Sequence, residues 1–314
     1  MPERLHGIMS RRKEVNTMYE KILVPLDGSS AAEMALPYAE EIAAKQGAEI
    51  ILASVSELGA VEADPLYRSY LERIVEQIER QLKDWGAKEG AKVKSEVLLG
   101  TPASEILRYA DEKNVSLITM ASRGRSSRGP WLLGNIAAKV LRATGKPVLL
   151  IRAPADKVTL QQKNLIKKIL VPLDGSKMSE VAIPYAEALA QALGAEMVLF
   201  QAFVTPTFVG TYEGRSMSPA EFKKREEQVR ASMMDYLDHL GRGFQEKGVR
   251  TLNVVREGSA ADQILEYAEK NGIDLVAMST HGRSGIGRWV FGSVTDKVLH
   301  SGDVAVLTVR ATKV

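Results

Sequence analysis

A chain of 314 residues, 45% of them hydrophobic, is long enough for two domains that each bury a core of their own. Its 42 basic and 39 acidic residues leave a formal charge of only +3, so no global field draws it onto nucleic acid or an anionic membrane. The absence of cysteine excludes disulfides, thiolate zinc sites and cysteine nucleophiles, and no apolar run approaches the roughly 20 residues of a membrane span, so a cytoplasmic protein is expected.

Residues 1–18 precede any periodic pattern. MPERLHGIMSRRKEVNT is polar, lacks the apolar centre of a secretory signal and reads as a disordered extension, and Met18 is as sensible a translation start as Met1. KILVPL from Lys21 is a short apolar run of the kind that forms a strand buried on both faces. The alanine-rich residues 31–45 have helical spacing, AEIILASV is a second strand, and residues 66–88 form a long amphipathic helix. KSEVLL, residues 103–113 and SLITM give strand, helix and strand, and residues 135–143 and PVLLI close the unit with a helix and a fifth strand. Residues 154–166 are polar and begin with proline, as a linker would.

The order then repeats. KILVPLDGS at Lys21 returns at Lys168, an offset of 147, and GTPASEIL at Gly100 is matched by GSAADQIL at Gly258, an offset of 158. The difference of 11 residues is an insertion near TPTFVGTYEGRSMSP, where a surface loop would tolerate it. Strand and helix in alternation imply a parallel sheet with right-handed crossovers. The expected fold is α/β: two tandem doubly wound domains, residues 19–153 and 167–311, each a five-stranded parallel sheet with helices on both faces.

Chemistry concentrates after the fourth strand of each copy. In the second copy that loop reads Ser279-Thr280-His281-Gly282-Arg283-Ser284-Gly285, and Gly292-Ser293 opens the next helix. Gly282 and Gly285 permit close backbone approach to an anion, and a helix N-terminus favours negative charge, so phosphate is the natural guest. A Walker loop is absent, and Gly285-x-Gly287 imitates the dinucleotide fingerprint without its third glycine and in the wrong βα unit. The first copy has Ala121-Ser122-Arg123-Gly124-Arg125-Ser126, then Gly134-Asn135, with the same spacing between its glycines. Asparagine can cap a helix.

These residues resemble the universal stress protein family: ILVPLDGS opens each copy, and a loop of the form G-x2-G-x9-G-[ST] closes it. The resemblance covers roughly residues 19–310 and implies an adenine nucleotide alpha hydrolase-like fold that binds ATP. It places Pro172, Asp174 and Ala202 around the base and ribose, and Ser279, Gly282, Arg283, Ser284, Gly285, Gly292, Ser293 and Val294 at the sugar and phosphates. In the first copy it places Pro25, Asp27 and Val55 at the base, with Ala121, Gly124, Arg125, Ser126, Gly134 and Asn135 around the phosphates. The second copy departs from the pattern only in Ser279, which is tolerable unless that position needs a positive φ. The first departs in Ala121 and Asn135, and in Arg123, which stands opposite His281, so ATP is expected more in domain 2 than in domain 1, with Mg2+ possible on its phosphates. The resemblance also implies pairing of the domains through their last strands, as an intramolecular pseudo-dimer and then a homodimer.

Plainer roles stand beside these. Asp27 and Asp174 in LDGS also suit a turn or helix cap. His281 positions a phosphate or decorates a loop, and the four histidines are too scattered for a metal cluster. Trp131 and Trp289 suit packing better than base stacking. No catalytic team is evident, so an ATP-binding sensor is expected, the alternatives being a slow ATPase or phosphotransferase using Asp174 or His281 and a nucleotide-free dimeric scaffold.

Overall fold

The computed structural model describes residues 18–57, 64–124, 133–152, 163–204, 218–282 and 291–311. The extension expected before Met18, most of the linker and most of the insertion segment lie outside the described residues.

The first half runs β1 (Lys21–Pro25), α1 (Ser30–Glu33), α2 (Leu36–Gln46), β2 (Glu49–Ser56), α3 (Asp64–Asp84), β3 (Lys92–Leu99), α4 (Pro102–Glu112), β4 (Leu117–Ala121), α5 (Asn135–Ala143) and β5 (Val148–Ile151). The second runs β6 (Lys168–Pro172), α6 (Lys177–Glu180), α7 (Ile183–Leu193), β7 (Glu196–Phe203), α8 (Pro219–Gln245), β8 (Thr251–Glu257), α9 (Ala260–Lys270), β9 (Leu275–Ser279), α10 (Ser293–Ser301) and β10 (Ala305–Val309). In the first half the strands lie in the order β3-β2-β1-β4-β5, every neighbour parallel, and the second half repeats this as β8-β7-β6-β9-β10. The doubly wound parallel architecture read from the sequence is therefore the one observed.

Alternate residues of a strand point to opposite faces, and both faces are covered. Ile22 and Val24 of β1 pack with Ile42, Ile78 and Leu82 of α2 and α3, whereas Leu23 packs with Ile106, Tyr109 and Val140 of α4 and α5. Each such aliphatic side chain, fully withdrawn from water, contributes roughly 1.5–3 kcal/mol.

Two element boundaries differ from the sequence expectation. The single helix expected over residues 31–45 is two pieces, α1 and α2. Pro37 has no N–H to donate to the Glu33 carbonyl and its ring crowds that group, so the chain turns at Met34 and Ala35 before resuming. Pro184 divides α6 from α7 in the same way. The long helix expected to reach residue 88 ends at Asp84. Gly86 takes φ 62°, a left-handed value, and the Ala87 N–H turns back to the Leu82 carbonyl at 3.0 Å.

The halves join into one ten-stranded sheet through β5 and β10, which are antiparallel with Leu149 opposite Leu307. Above that seam α2 packs on α7, where the Tyr19 hydroxyl donates to the Tyr185 carbonyl at 2.8 Å. Two arginines cross the seam reciprocally. Arg152, after β5, donates from Nη1 to the Gly302 carbonyl at 2.7 Å, at the end of α10. Arg310, after β10, donates to the Thr144 and Ala143 carbonyls at 3.2 and 3.4 Å, at the end of α5. A cation at a helix C-terminus meets the negative end of the helix dipole.

Candidate functional site: paired clefts beyond the strand ends

In each half the strand order reverses between the first and fourth strands, and a cleft opens beyond their C-terminal ends, where open α/β sheets take ligands. The second cleft brings together Pro172, Asp174, Ala202, Ser279, His281, Gly282, Gly292, Ser293 and Val294. The first brings together Pro25, Asp27, Val55, Ala121, Gly124, Gly134 and Asn135. Arg283, Ser284, Gly285, Arg125 and Ser126, with Trp131 and Trp289, lie outside the described residues.

The LDGS aspartates do two things at once. Asp174 Oδ1 accepts the Ser176 N–H at 2.9 Å, and Ser176 in turn caps α6 by accepting the Ser179 N–H at 3.2 Å. Asp27 Oδ1 likewise accepts the Ser29 N–H at 3.0 Å and the Ser29 hydroxyl at 2.5 Å. The turn-forming role thus engages one carboxylate oxygen. The other faces the glycine loop: a Cβ added at Gly282 would sit 2.5 Å from Asp174 Oδ2, and one at Gly124 would collide with Asp27 Oδ2. Neither glycine has a positive φ. Glycine is needed here because the carboxylate from the first strand occupies the space of a side chain, a contact between the two repeated motifs that spacing alone did not disclose.

Ser279 also avoids positive φ, so the serine fits. Its hydroxyl donates to the His281 carbonyl at 2.8 Å and accepts the His281 N–H at 3.3 Å, and its own carbonyl accepts from the Thr295 hydroxyl at 2.9 Å. Ala121 and Ala137 fill the matching places in the first half and supply no hydroxyl. In that cleft Arg123 stands where the second has His281.

Thr280 and Thr295 are contributions that sequence reasoning passed over. Thr280 is buried; its N–H reaches the Val309 carbonyl at 2.9 Å, and its carbonyl receives the Gly292 N–H at 2.9 Å. Ser122 does the same in the first half, with Ile151 and Gly134 at 2.8 and 2.7 Å. A small hydroxyl residue between the marker positions in both copies was the available signal. The effect is to tie the end of the fourth strand to the start of the following helix, fixing the mouth of the cleft.

At that mouth Gly292 and Gly134 are the N-caps of α10 and α5, with φ −58° and −62°, and among the described residues no side chain caps either helix. The expectation that Asn135 caps α5 is corrected: it occupies the first helical position, one residue too late for its side chain to take the cap role. The first-turn N–H groups therefore face the cleft as donors suited to an anion. Behind the first cleft, burial pushes the Arg152 guanidinium down to about 10, and nearby Arg123 adds to the effect while Asp303 opposes it.

Among the described residues no helix is long and apolar enough to cross a membrane. The sequence pattern of the Universal stress protein family matches residues 18–152 and again 165–310. A universal stress protein of Synechocystis is 26% identical over 318 residues, spanning 93% of this chain and all of that one. The crystal structure of a universal stress protein from Archaeoglobus fulgidus superposes with TM-score 0.65 over 95% of this chain and 100% of its own, at 20% identity, which speaks to the fold. A universal stress protein solved in complex with cAMP is 27% identical and covers 42% of this chain, with TM-score 0.33. With the family pattern matched once in each half, over the two halves of the sheet that carry the clefts, the chain belongs to the universal stress protein family.

Proposed function

We propose that the protein binds ATP, principally in the second cleft, and acts as a nucleotide-dependent sensor in the stress response rather than as an efficient catalyst. The observation that carries this is the uncapped N-terminus of α10, opening beside Gly282 and Asp174 in a cleft of about 250 Å³. Its donors suit phosphate, and Pro172 and Ala202 at the strand ends offer an apolar wall for a base. The first cleft, of about 120 Å³, has the same frame with fewer hydroxyls and is the weaker candidate. Mg2+ would enter with the phosphates, near the Asp174 carboxylate.

Mass spectrometry of nucleotide released from gently purified protein tests this, comparing Gly282→Glu with Gly124→Glu. Loss of ATP with the first change alone assigns the second cleft; protein that carries no nucleotide and shows no thermal shift with ATP favours the scaffold. The Asp174 carboxylate facing the cleft favours one further reading, slow hydrolysis, for which sustained ADP release abolished by Asp174→Ala is the sign.

We also infer that the antiparallel β5–β10 pairing makes the chain an intramolecular pseudo-dimer of domains 19–153 and 167–311, and that two chains associate into a homodimer in the cytoplasm. Light scattering and limited proteolysis check the chain number and the linker at 154–166.

A further inference from the structure

Arg152 and Arg310 occupy equivalent places in the two copies, and each runs from the mouth of one cleft to the far end of the helix that opens on the other. Ile151, immediately before Arg152, accepts the Ser122 N–H at 2.8 Å, so Arg152 leaves β5 beside Arg123, which lines the first cleft. The Arg152 guanidinium then crosses the seam to the Gly302 carbonyl at 2.7 Å. Gly302 is the C-cap of α10, an unbroken helix of nine residues whose opposite end, Gly292 and Ser293, lies in the second cleft. At 1.5 Å per residue the two ends are roughly 13 Å apart. The reverse link is built alike. Val309 accepts the Thr280 N–H at 2.9 Å, Arg310 follows beside His281, and its guanidinium reaches the Thr144 carbonyl at the C-cap of α5, whose first turn opens on the first cleft.

The two links carry different charge. Arg152 is buried, its Nε has no hydrogen-bond partner among the described residues, and the Arg123 guanidinium repels it while Asp303 attracts it. Arg310 is half-buried, and the residue beside it is a histidine where Arg152 has an arginine. A buried cation pressed by a like charge holds its acceptor less firmly than one whose neighbour has been neutralised, because the repulsion is poorly screened there. An anion settling on Arg123 removes that repulsion. A firmer cation at the C-terminus of α10 steadies the helix and leaves its N-terminus more attractive to negative charge. From this geometry we propose that the two clefts are coupled: an anionic guest in the first, by offsetting Arg123, tightens the hold of Arg152 on Gly302 and raises the affinity of the second for a phosphate-bearing ligand. Such coupling is reciprocal, so a guest in the second cleft favours one in the first by the same factor.

The coupling rests on the nucleotide reading, and two measurements keep them apart. Arg123→Glu sets a fixed negative charge where that of the guest would lie, and Arg152→Gln keeps an amide donor for Gly302 while removing the cation. Calorimetry with ATP is performed on the full chain, on each variant and on the double variant, with Gly282→Glu identifying the heat that belongs to the second cleft. Arg123→Glu should bind ATP there about 5-fold or more tightly than wild type, against the sign of simple repulsion between the added charge and the ligand. The gain should vanish when the double variant is compared with Arg152→Gln alone. In protein without nucleotide, amide exchange in the last turn of α10 should slow in Arg123→Glu and stay unchanged between Arg152→Gln and the double variant. ATP affinity that is unchanged or weakened in Arg123→Glu, or that rises equally with and without Arg152, overturns the coupling while the nucleotide reading stands. Wild-type protein that binds no ATP overturns the nucleotide reading, and the exchange comparison then decides: slowing that depends on Arg152 upholds the link, and its absence overturns it.

Discussion

Glu40 on α2 is wholly buried, and neither carboxylate oxygen has a hydrogen-bond partner among the described residues. Burial pushes its pKa from 4.5 up to about 8. Its counterpart in the repeat, Glu187 on α7, has Lys247 Nζ at 2.7 Å instead. Because the folded value of Glu40 lies above the unfolded one, the folded protein holds a proton that the unfolded chain has released between pH 4.5 and 8. Stability is therefore highest below that window, falls as pH rises through it, and is level above it. Each pH unit spent with one proton of difference is worth about 1.4 kcal/mol, which bounds the loss at on the order of 4–5 kcal/mol, a large part of the stability of an ordinary domain. Glu40→Gln has the shape of the protonated acid and no charge to release. Denaturant melts of both proteins from pH 5 to 9 should show near equality at pH 5 and a progressive advantage for the variant toward pH 8 and above. Taking the difference between the two curves cancels every other titrating group. A difference that stays flat across the window would refute the assignment of a neutral, unpaired carboxyl to this position.

Three other perturbations have definite outcomes. Gly282→Ala places a Cβ against Oδ2 of Asp174, a carboxylate whose Oδ1 is held by the Ser176 N–H, and should cost about 1–3 kcal/mol as an overpacked contact, whereas Gly292→Ala, with its nearest neighbour at 3.7 Å and φ −58°, should stay within about 0.5 kcal/mol of wild type; paired thermal melts decide. Arg152→Ala strips the Gly302 carbonyl of its donor across the seam and should cost about 2–3 kcal/mol, read by chemical denaturation. Ser218→Ala removes the capping box in which Ser218 and Glu221 satisfy each other's backbone, and should cost about 1 kcal/mol, seen as faster amide exchange in the first turn of α8.

The sheet was legible in the sequence because strands buried on both faces must be short apolar runs, and KILVPL, SLITM and PVLLI are such runs. The helix ends were less so. Pro37 and Pro184 carry the information that divides each early helix, but alanine-rich spacing obscured it, and Gly86 ended α3 earlier than its amphipathic pattern suggested. In the candidate site the glycine spacing was visible and its reason was not. Gly282 read as room for an anion; in the fold it is room for Asp174, a residue from the opposite end of the domain. Contacts of that kind, like the crossed arginines Arg152 and Arg310, depend on which strand ends meet in space, which no local pattern encodes. Asn135 illustrates the converse: residue type suggested a cap, and a displacement of one position along the helix removed it.

The antiparallel seam between β5 and β10 has a consequence for inheritance. When identical subunits meet across such a seam, every substitution in a cleft appears twice, and a change that improves one copy is imposed on the other. Here both sides of the seam are written in a single reading frame at separate places. Arg123 and His281, or Ala121 and Ser279, can differ while the shared sheet still closes. A fused pair can therefore keep one cleft unchanged while the other accumulates alterations.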